Sequence, residues 1–289
     1  DVVLGLGCTI SDMTSYEYTL PINGDVVLVN IDLEAMLTSR FRASYMVEAD
    51  VRDFLVEALG AVRDYRPPSR GKWWGLLEPK RREWESQIEA SIASDKVPLS
   101  PGRVVHELGR LLSGGHIITV GAGTHLLYPM DFLPCREPLS FLSAVNFGAM
   151  GFGFPAALAA KLVRPGAEVV AILGDGDFMM TLQDLETACR EKIGVRVLVM
   201  NDNMYRVLNI RQRVQCGGRI LGTCHGNPDF AALARSFGAA GFRLERVEDI
   251  GEVLGEALAA PGPAVVDVII DPDDLPPMNL EATLRMGMG

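Results

Sequence analysis

The chain has 289 residues, of which 48% are hydrophobic and 22% are charged. This is enough apolar material for one large or two modest globular domains. Its formal net charge is −10, and no basic cluster is long enough to follow a phosphate backbone, so a nucleic-acid partner is not expected. The densest basic group, which we interpret as part of a solvated loop, consists of Arg206, Arg211, Arg213 and Arg219.

The cysteines are scattered along the chain and odd in number. This pattern favours a reducing compartment, and hence the cytoplasm, over a disulfide framework. Cys216, Cys224 and His225 lack a fourth partner at the spacing of a zinc site, so zinc is not expected. No apolar run is as long as a membrane span and no signal-peptide pattern opens the chain, so we expect no membrane partner.

The first residues of the chain already have the pattern of a buried strand. Residues 1–7 predict a strand that ends in a glycine turn, and residues 26–31 predict a second strand, with a helix opening at Asp32. Residues 51–59 have the periodicity of an amphipathic helix. A natural start is usually more polar than this.

A proline-rich break separates this first region from the rest. Residues 67–71 end it, and a charged helix with three tryptophans then runs to about Lys96. We expect Trp73, Trp74 and Trp84 to pack against neighbouring domains. The predicted domains are therefore residues 1–66, a linker over residues 67–98, and a second domain over residues 99–289.

Strands and helices alternate along the second domain. Apolar, β-branched runs predict strands at residues 117–120, 168–173, 195–200, 242–244 and 264–270. Helical patterns predict helices at residues 103–112, 154–163, 181–192, 230–237 and 250–259. Apolar strands that alternate with helices indicate an α/β fold with a doubly wound parallel sheet covered on both faces.

Two acidic segments follow consecutive strands of this sheet. Residues 174–177 read Gly-Asp-Gly-Asp, and Asn201–Asn203 read Asn-Asp-Asn. A right-handed crossover brings the two strand ends to the same edge. Asp175 and Asp202 then supply the hard oxygens that Mg²⁺ accepts, with phosphate and water completing its octahedron.

The glycines in the first segment have a predicted role of their own. Gly174 and Gly176 are expected to let the chain turn sharply and bring backbone N–H groups close to an anion. The helix that follows would point its positive N-terminus at the same place. Together the two segments predict a magnesium diphosphate site, although an ordinary strand–helix turn would also carry Gly and Asp.

The arrangement resembles the signature of thiamine diphosphate (ThDP) enzymes, in which GDG is followed some two dozen residues later by NN. Asp202 stands at the second Asn, where it keeps an oxygen ligand and adds negative charge. Residues 148–157, GAMGFGFPAA, resemble the GTMGFGLPAA of acetolactate synthase and its relatives. Residues 123–125, Gly-Thr-His, resemble the GQH of that family.

This resemblance implies roles for individual residues. Met150 would be the wedge that bends the cofactor, and the Gly148 carbonyl would accept a hydrogen bond from its 4′-amino group. Thr124 and His125 would contact the diphosphate. Cofactor contacts are implied for Thr124, His125, Gly148, Met150, Gly174, Asp175, Gly176, Asp177, Asp202, Met204 and Tyr205, and metal ligation for Asp175, Asp202 and the Met204 carbonyl. Taken alone, Met150 would fill the core and His125 would be a structural histidine.

The first region resembles the last third of the Rossmann-like middle domain of the acetolactate synthase superfamily, and this resemblance implies that the chain is the C-terminal half of a longer polypeptide. Such middle domains sometimes hold FAD or ADP. FAD-binding relatives carry an Arg after the Gly-Ala turn, whereas this chain has Cys8 and Thr9 after Gly7. FAD or ADP is therefore possible but unsupported here.

The resemblance also implies a partner. A Glu on the N1′ nitrogen of the cofactor belongs, in this superfamily, to an N-terminal pyrimidine-binding domain. It would come from an N-terminal half or a partner subunit, within a homo-oligomer, a dimer or a tetramer. These 289 residues alone are expected to be inactive.

The function that the resemblance implies is ThDP- and Mg²⁺-dependent decarboxylation of a 2-oxo acid, transfer of the resulting acyl anion equivalent, or both. Arg206 and Arg211 stand where the relatives have Gly and Trp, in a segment that lines the active-site mouth of those relatives. Residues 221–223 are also similar to benzaldehyde lyase and oxalyl-CoA decarboxylase relatives, so an acyl-CoA decarboxylase or lyase and an aldehyde lyase are alternatives. Two further alternatives are a non-catalytic module that binds a diphosphate nucleotide and an FAD-dependent oxidoreductase.

Overall fold

A computed structural model describes residues 2–8, 10, 15, 24–37, 43–144 and 147–276 of the chain. Asp1 and Thr9, which the sequence analysis used, lie outside the described residues. The chain divides into two compact units between Leu76 and Leu77. Each unit has its own parallel sheet.

The first unit contains a three-stranded parallel sheet in the order β1-β2-β3. Its strands are β1 (Val2–Leu6), β2 (Asp25–Asn30) and β3 (Tyr45–Glu48), and its helices are α1 (Leu33–Leu37) and α2 (Val51–Ala61). The sequence analysis did not predict β3. The buried cluster of this unit is small and comprises Val26, Leu28 and Met36.

A long helix, α3 (Gly71–Ile92), spans the division between the units. None of its residues is buried, and Pro79 lies inside it. Exposed ion pairs four residues apart, such as Arg81 with Glu85, run along its surface, as is typical of a solvated helix. The predicted linker boundaries at residues 67 and 98 stay a prediction.

The second unit is built on six parallel strands in the order β5-β4-β6-β7-β9-β8. The strands are β4 (Ile117–Val120), β5 (Phe141–Ser143), β6 (Val169–Gly174), β7 (Arg196–Asn201), β8 (Ala240–Leu244) and β9 (Ala264–Ile269). The helices are α4 (Pro101–Leu111), α5 (Leu127–Phe132), α6 (Gly153–Val163), α7 (Asp175–Phe178), α8 (Leu185–Arg190), α9 (Arg206–Gln215), α10 (Phe230–Phe237) and α11 (Ile250–Ala259).

Side chains that alternate along a strand enter two different cores. On β6, Val170 and Ile172 pack into one cluster with Leu108 of α4 and Leu254 of α11. Val169, Ala171 and Leu173 pack into a second cluster, which contains residues of α6 and α10. The predicted doubly wound parallel sheet is confirmed, because both of its faces are covered by helices.

Two local predictions need correction. The helix expected at residues 181–192 is confirmed only in part, since a 3₁₀ turn at Leu182–Asp184 is followed by α8, and helix α7, which begins at Asp175 directly after the strand, was not predicted. The chain breaks at Thr181, whose backbone is not helical. The segment that contains Arg206, expected as a solvated loop, forms helix α9. Because α7 starts at the strand end, its first residues lie at the edge of the sheet.

Candidate functional site

The predicted site residues meet at the carboxyl ends of β4, β6 and β7. One cavity there is lined by Gly123, Thr124, His125, Tyr128, Met150, Gly174, Asp175, Gly176, Asp177, Asp202, Met204, Tyr205 and Arg206, among others. Of the site residues predicted from the sequence, Gly148 is not among those that line it. The position at the carboxyl edge of a parallel sheet is where open α/β folds bind ligands.

The two glycines of the Gly-Asp-Gly-Asp segment have a different role from the one expected. Gly174 has φ −77° and Gly176 lies within α7, so neither has the left-handed backbone that demands glycine. A Cβ atom on Gly174 would lie 2.9 Å from His125 Nδ1, and one on Gly176 would lie 2.4 Å from Tyr205 Cε1. These glycines therefore make room for two side chains that line the cavity.

Asp175 is buried and held by neutral donors. Its Oδ1 accepts a hydrogen bond of 2.6 Å from the Gly176 N–H. Its Oδ2 accepts one of 2.7 Å from the Asn203 N–H and another of 2.7 Å from Asn227 Nδ2. Because these donors carry no formal charge, the carboxylate is oriented without being neutralised.

Asn227 also lies at the site, although the sequence analysis did not single it out. Its Nδ2 also donates to Asn201 Oδ1 at 2.7 Å, and Asn201 Nδ2 donates to Asp267 Oδ1 at 2.8 Å. Asp267 is fully buried and also accepts from Arg243 Nη1 at 3.0 Å. The feature of the sequence that could have identified Asn227 is an amide side chain placed just before a predicted helix at this edge of the sheet.

Asp177 joins two of the predicted motifs. Its Oδ1 accepts a hydrogen bond of 2.6 Å from the Gly151 N–H, and its Oδ2 lies 3.5 Å from His125 Nε2. A Cβ atom on Gly121 would lie 1.8 Å from Asp177 Oδ2, so glycine is required there. His125 Nε2 and Asp177 Oδ2 are both buried and have no hydrogen-bond partner among the described residues.

Met150 lies between two glycines with left-handed backbone. Gly148 has φ +67° and Gly151 has φ +83°, a conformation that L-residues with side chains rarely adopt. The Gly148 N–H donates to the Ala144 carbonyl at 2.7 Å. The glycines thus set the course of the loop that brings Met150 to the cavity. Thr124, which is buried and also lines the cavity, is the first residue of the 3₁₀ turn Thr124–Leu126.

The backbone around Met204 is fixed by a short antiparallel pairing. Met204 forms an isolated bridge with Cys224, flanked by hydrogen bonds from Tyr205 N to Thr223 O and from His225 N to Asn203 O. The rings of Tyr205 and His225 are 4.7 Å apart, and His225 Nε2 lies 3.7 Å from Asp175 Oδ1. This pairing holds Met204 and Tyr205 beside Asp175.

Asp202 is held by a charged partner. Its Oδ2 accepts from Arg206 Nε at 2.5 Å, and its Oδ1 accepts from the Met204 N–H at 3.3 Å. Burial raises the pKa of Asp202 and nearby Asp175 raises it further, while Arg206 opposes both effects. The interpretation of Arg206 as solvated was wrong, because only 5% of this residue is exposed.

In the described part of the chain, no group of three or more His, Cys, Asp or Glu side chains is arranged to hold a metal ion. A cation at Asp175 and Asp202 would therefore need phosphate oxygens, water or backbone carbonyls as further ligands. The described residues also include no helix that is both long and apolar enough to cross a membrane.

Comparison with known proteins identifies the domain. The family model described as "Thiamine pyrophosphate enzyme, C-terminal TPP binding domain" matches residues 121–268, just over half of the chain. This range contains the cavity segments from Gly123 to Arg206. The predicted resemblance to ThDP enzymes is thereby confirmed.

Curated relatives match over nearly the whole chain. It is 30% identical over 283 residues to the acetolactate synthase of Mycobacterium leprae (strain TN), covering 94% of this chain and 45% of that protein. It is 30% identical over 288 residues to the probable acetolactate synthase large subunit of Methanocaldococcus jannaschii, covering 96% of this chain and 48% of that protein. It is 29% identical over 277 residues to the acetolactate synthase isozyme 1 large subunit of Escherichia coli (strain K12), covering 95% of this chain and 48% of that protein.

The chain thus spans about half the length of the curated relatives that it matches. Its cavity at the strand ends is lined by the motifs that the family model covers. The chain belongs to the thiamine pyrophosphate enzyme family, resembles the acetolactate synthases within it, and carries the family's C-terminal TPP-binding domain.

Proposed function

We propose that the chain is the C-terminal half of an enzyme that decarboxylates a 2-oxo acid, transfers the resulting acyl group, or both. In this proposal its cavity holds the diphosphate of ThDP together with Mg²⁺, bound by Asp175, Asp202 and the Met204 carbonyl. The observation that carries the proposal is the charge of the cavity. Three carboxylates line it: those of Asp175 and Asp177, which are buried, and that of Asp202, whose side chain is 5% exposed.

A diphosphate carries several negative charges, and three carboxylates around the same cavity would repel it. The Arg206 guanidinium is buried nearby but is already paired with Asp202. A divalent cation that bridges carboxylate and phosphate oxygens resolves this conflict, since Mg²⁺ is commonly bound through one or two carboxylates plus substrate phosphates. The acidic lining therefore supports a metal–diphosphate complex over a bare anion.

Two further features fit a diphosphate. His125 Nε2 is buried at the cavity without a partner among the described residues, so a ligand oxygen would satisfy it. Gly123 has φ +154°, and a Cβ atom there would lie 2.6 Å from the His125 ring. The loop at residues 123–125 thus presents a histidine and backbone rather than bulky side chains.

Bound ThDP supplies a carbon nucleophile and an electron sink, and the protein supplies orientation and charge compensation. We assign Met150 the role of a wedge beneath the cofactor, because the glycine-flanked loop brings it to the cavity. We assign the Gly148 carbonyl the role of hydrogen-bond acceptor for the aminopyrimidine. Thr124, His125, Gly174, Gly176, Asp177 and Tyr205 complete the cofactor contacts.

Activity would need a second polypeptide region. The catalytic Glu expected for this superfamily would come from an N-terminal pyrimidine-binding half or from a partner subunit in a homo-oligomer. We therefore propose that these 289 residues are inactive by themselves. Without a base placed at the aminopyrimidine, removal of the reacting proton is slow.

The proposal is tested by a product screen. The longer polypeptide or the complex that contains this chain is incubated with ThDP, Mg²⁺ and either pyruvate, oxalyl-CoA or an aromatic 2-oxo acid. We expect carbon dioxide release and an acyl-transfer product with at least one of these substrates, and none from the 289 residues alone. Tighter binding of ADP than of ThDP in a competition assay would favour the nucleotide-binding alternative instead.

Met150 gives a sharper test in the active complex. Met150→Ala should lower kcat more than it weakens ThDP binding, because a wedge acts on reactive geometry while the diphosphate provides most of the anchoring. Met130→Ala, at a methionine that does not line the cavity, is the matched control. Equal kcat in the parent and the Met150 variant would reduce Met150 to core filling.

A further inference from the structure

Arg206 makes a set of contacts that ThDP binding does not explain. Its Nε donates to Asp202 Oδ2 at 2.5 Å, its Nη2 to the Asp271 carbonyl at 2.6 Å, and its Nη1 to the Asp274 carbonyl at 2.7 Å. Nη1 also lies 3.4 Å from the Tyr128 hydroxyl. One buried side chain thus connects Asp202 to the segment that follows β9.

This segment, residues 271–274, is fastened from other sides as well. The Tyr128 hydroxyl donates to the Asp274 carbonyl at 2.7 Å, and the Asp271 N–H donates to the Leu99 carbonyl at 2.9 Å. Arg206 therefore fills a preformed set of acceptors, of which Asp202 is the only carboxylate. A planar guanidinium is suited to such a fork of oxygen atoms, whereas an ammonium group is not.

The ion pair with Arg206 reduces the negative charge that Asp202 presents to a cation. The side chains of Arg206 and Asp202 are 4% and 5% exposed, so water screens their attraction only weakly. The guanidinium also remains a fixed positive charge beside any cation that Asp202 binds. Asp175, by contrast, is oriented by neutral donors.

We propose that Arg206 is a positioning residue that fixes Asp202 in an internal ion pair and thereby weakens the affinity of this edge of the site for a divalent cation. The proposal rests on the proposed function, because it takes Asp202 as a metal ligand. Its consequence is that the metal is held chiefly at Asp175. Asp202 contributes only the part of its charge that Arg206 leaves uncompensated.

The test uses Mn²⁺ alone as the probe, measured by electron paramagnetic resonance and by calorimetry on the purified chain. Arg206→Gln keeps a polar side chain but removes the charge, and we expect it to bind Mn²⁺ about tenfold more tightly than the parent. Arg206→Lys keeps the charge and should bind Mn²⁺ about as the parent does. Arg213→Gln is the matched control, because Arg213 lies on the same helix and contacts Asp273 but is exposed.

Thermal unfolding without metal tests the ion pair separately. Asp202→Asn leaves the buried guanidinium without its carboxylate, and we expect the Tm to fall by roughly 6 °C or more. The double variant Arg206→Gln/Asp202→Asn should lose less than the sum of the two single changes, because the groups interact directly. Strictly additive losses would mean that the pair is not a unit.

The outcomes separate this proposal from the proposed function. Mn²⁺ binding that depends on Asp175 but is unchanged in Arg206→Gln overturns the role of Arg206 alone. If neither the parent nor Arg206→Gln binds Mn²⁺, the proposed effect of Arg206 on metal affinity is overturned, whereas the proposed function is tested by the Mg²⁺ dependence of ThDP binding. Tighter binding in Arg206→Gln, together with an unchanged Arg213→Gln, supports the proposal.

Discussion

Two carboxylates at neighbouring strand ends, Asp175 after β6 and Asp202 after β7, are buried to similar extents but held in opposite ways. Asp175 accepts three hydrogen bonds from uncharged donors, one of them the amide of Asn227. Asp202 accepts from a guanidinium. The location at the sheet edge brings both carboxylates to the same cavity. The hydrogen-bond donors to each carboxylate then determine how much of its negative charge remains available to a cation.

The first prediction removes the stronger ligand. Asp175→Ala should weaken Mg²⁺-dependent ThDP binding by about 100-fold or more, because a hard anionic oxygen is lost and the diphosphate charge is left poorly compensated. Calorimetry with ThDP in the presence of Mg²⁺ measures this. Asp184→Ala, a nearby carboxylate that does not line the cavity, should bind like the parent. Parent-like binding by Asp175→Ala would place the site elsewhere.

The second prediction compares stability on the Asp202 side. Arg206→Ala should lower the free energy of unfolding by about 3 kcal/mol or more, because it leaves the poorly exposed Asp202 carboxylate unpaired and removes a donor from the Asp271 and Asp274 carbonyls. Urea denaturation at neutral pH measures it. Arg213→Ala removes an exposed ion pair on the same helix and should cost about 0.5 kcal/mol or less. Equal losses in the two variants would show that the Arg206 contacts contribute little.

The third prediction concerns the donor that orients Asp175. Asn227→Ala should lower the free energy of unfolding by about 1–3 kcal/mol, since acceptors on Asp175 and Asn201 lose their partner. It should also weaken Mn²⁺ binding by about tenfold, as expected when a residue that orients a metal ligand is removed.

Asn209→Ala is the matched control for Asn227. Asn209 is a buried amide, whereas Asn227 is partly buried, and Asn209 donates to Thr223 Oγ1 and not to Asp175. We expect a similar loss of stability and little change in Mn²⁺ affinity. If the two variants weaken Mn²⁺ binding equally, Asn227 acts only through general stability.

The smallest effect is expected at Arg243, the last residue in the series of hydrogen bonds that runs from Asn227 through Asn201 and Asp267. Arg243 donates to Asp267 from the surface, and its side chain is 41% exposed. Arg243→Gln should lower the free energy of unfolding by about 1 kcal/mol, because solvent screens this pair and glutamine keeps a donor. Mn²⁺ affinity should stay at the parent value. A large loss of Mn²⁺ affinity would show that the connection transmits more strongly than its exposure suggests.

Five of the six strands in the sheet of the second unit were predicted, because each of these is an apolar run bounded by turn residues, whereas the short strand β5 was not predicted. The predicted helix at residues 230–237 and the predicted strand at residues 117–120 coincide with α10 and β4. The acidic motifs were also brought together as predicted, since parallel strands place their carboxyl ends at one edge. These features depend on local patterns that the sequence displays directly.

What could not be predicted depends on contacts between distant segments. The burial of Arg206 requires carbonyl groups of Asp271 and Asp274, which are more than 60 residues away in the chain. The role of Asn227 likewise depends on Asp175, which precedes it by 52 residues. The reason for Gly174 and Gly176 is the space taken by His125 and Tyr205, and no local pattern records that.

The metal dependence of ThDP binding tests the central claim most directly. The purified chain is titrated with ThDP, first with excess Mg²⁺ and then with EDTA, and binding is followed by calorimetry. We predict binding with Mg²⁺ and a loss of about 100-fold or more in affinity with EDTA, because three carboxylates line the cavity that receives the diphosphate. Equal affinity for ThDP under both conditions would contradict the account.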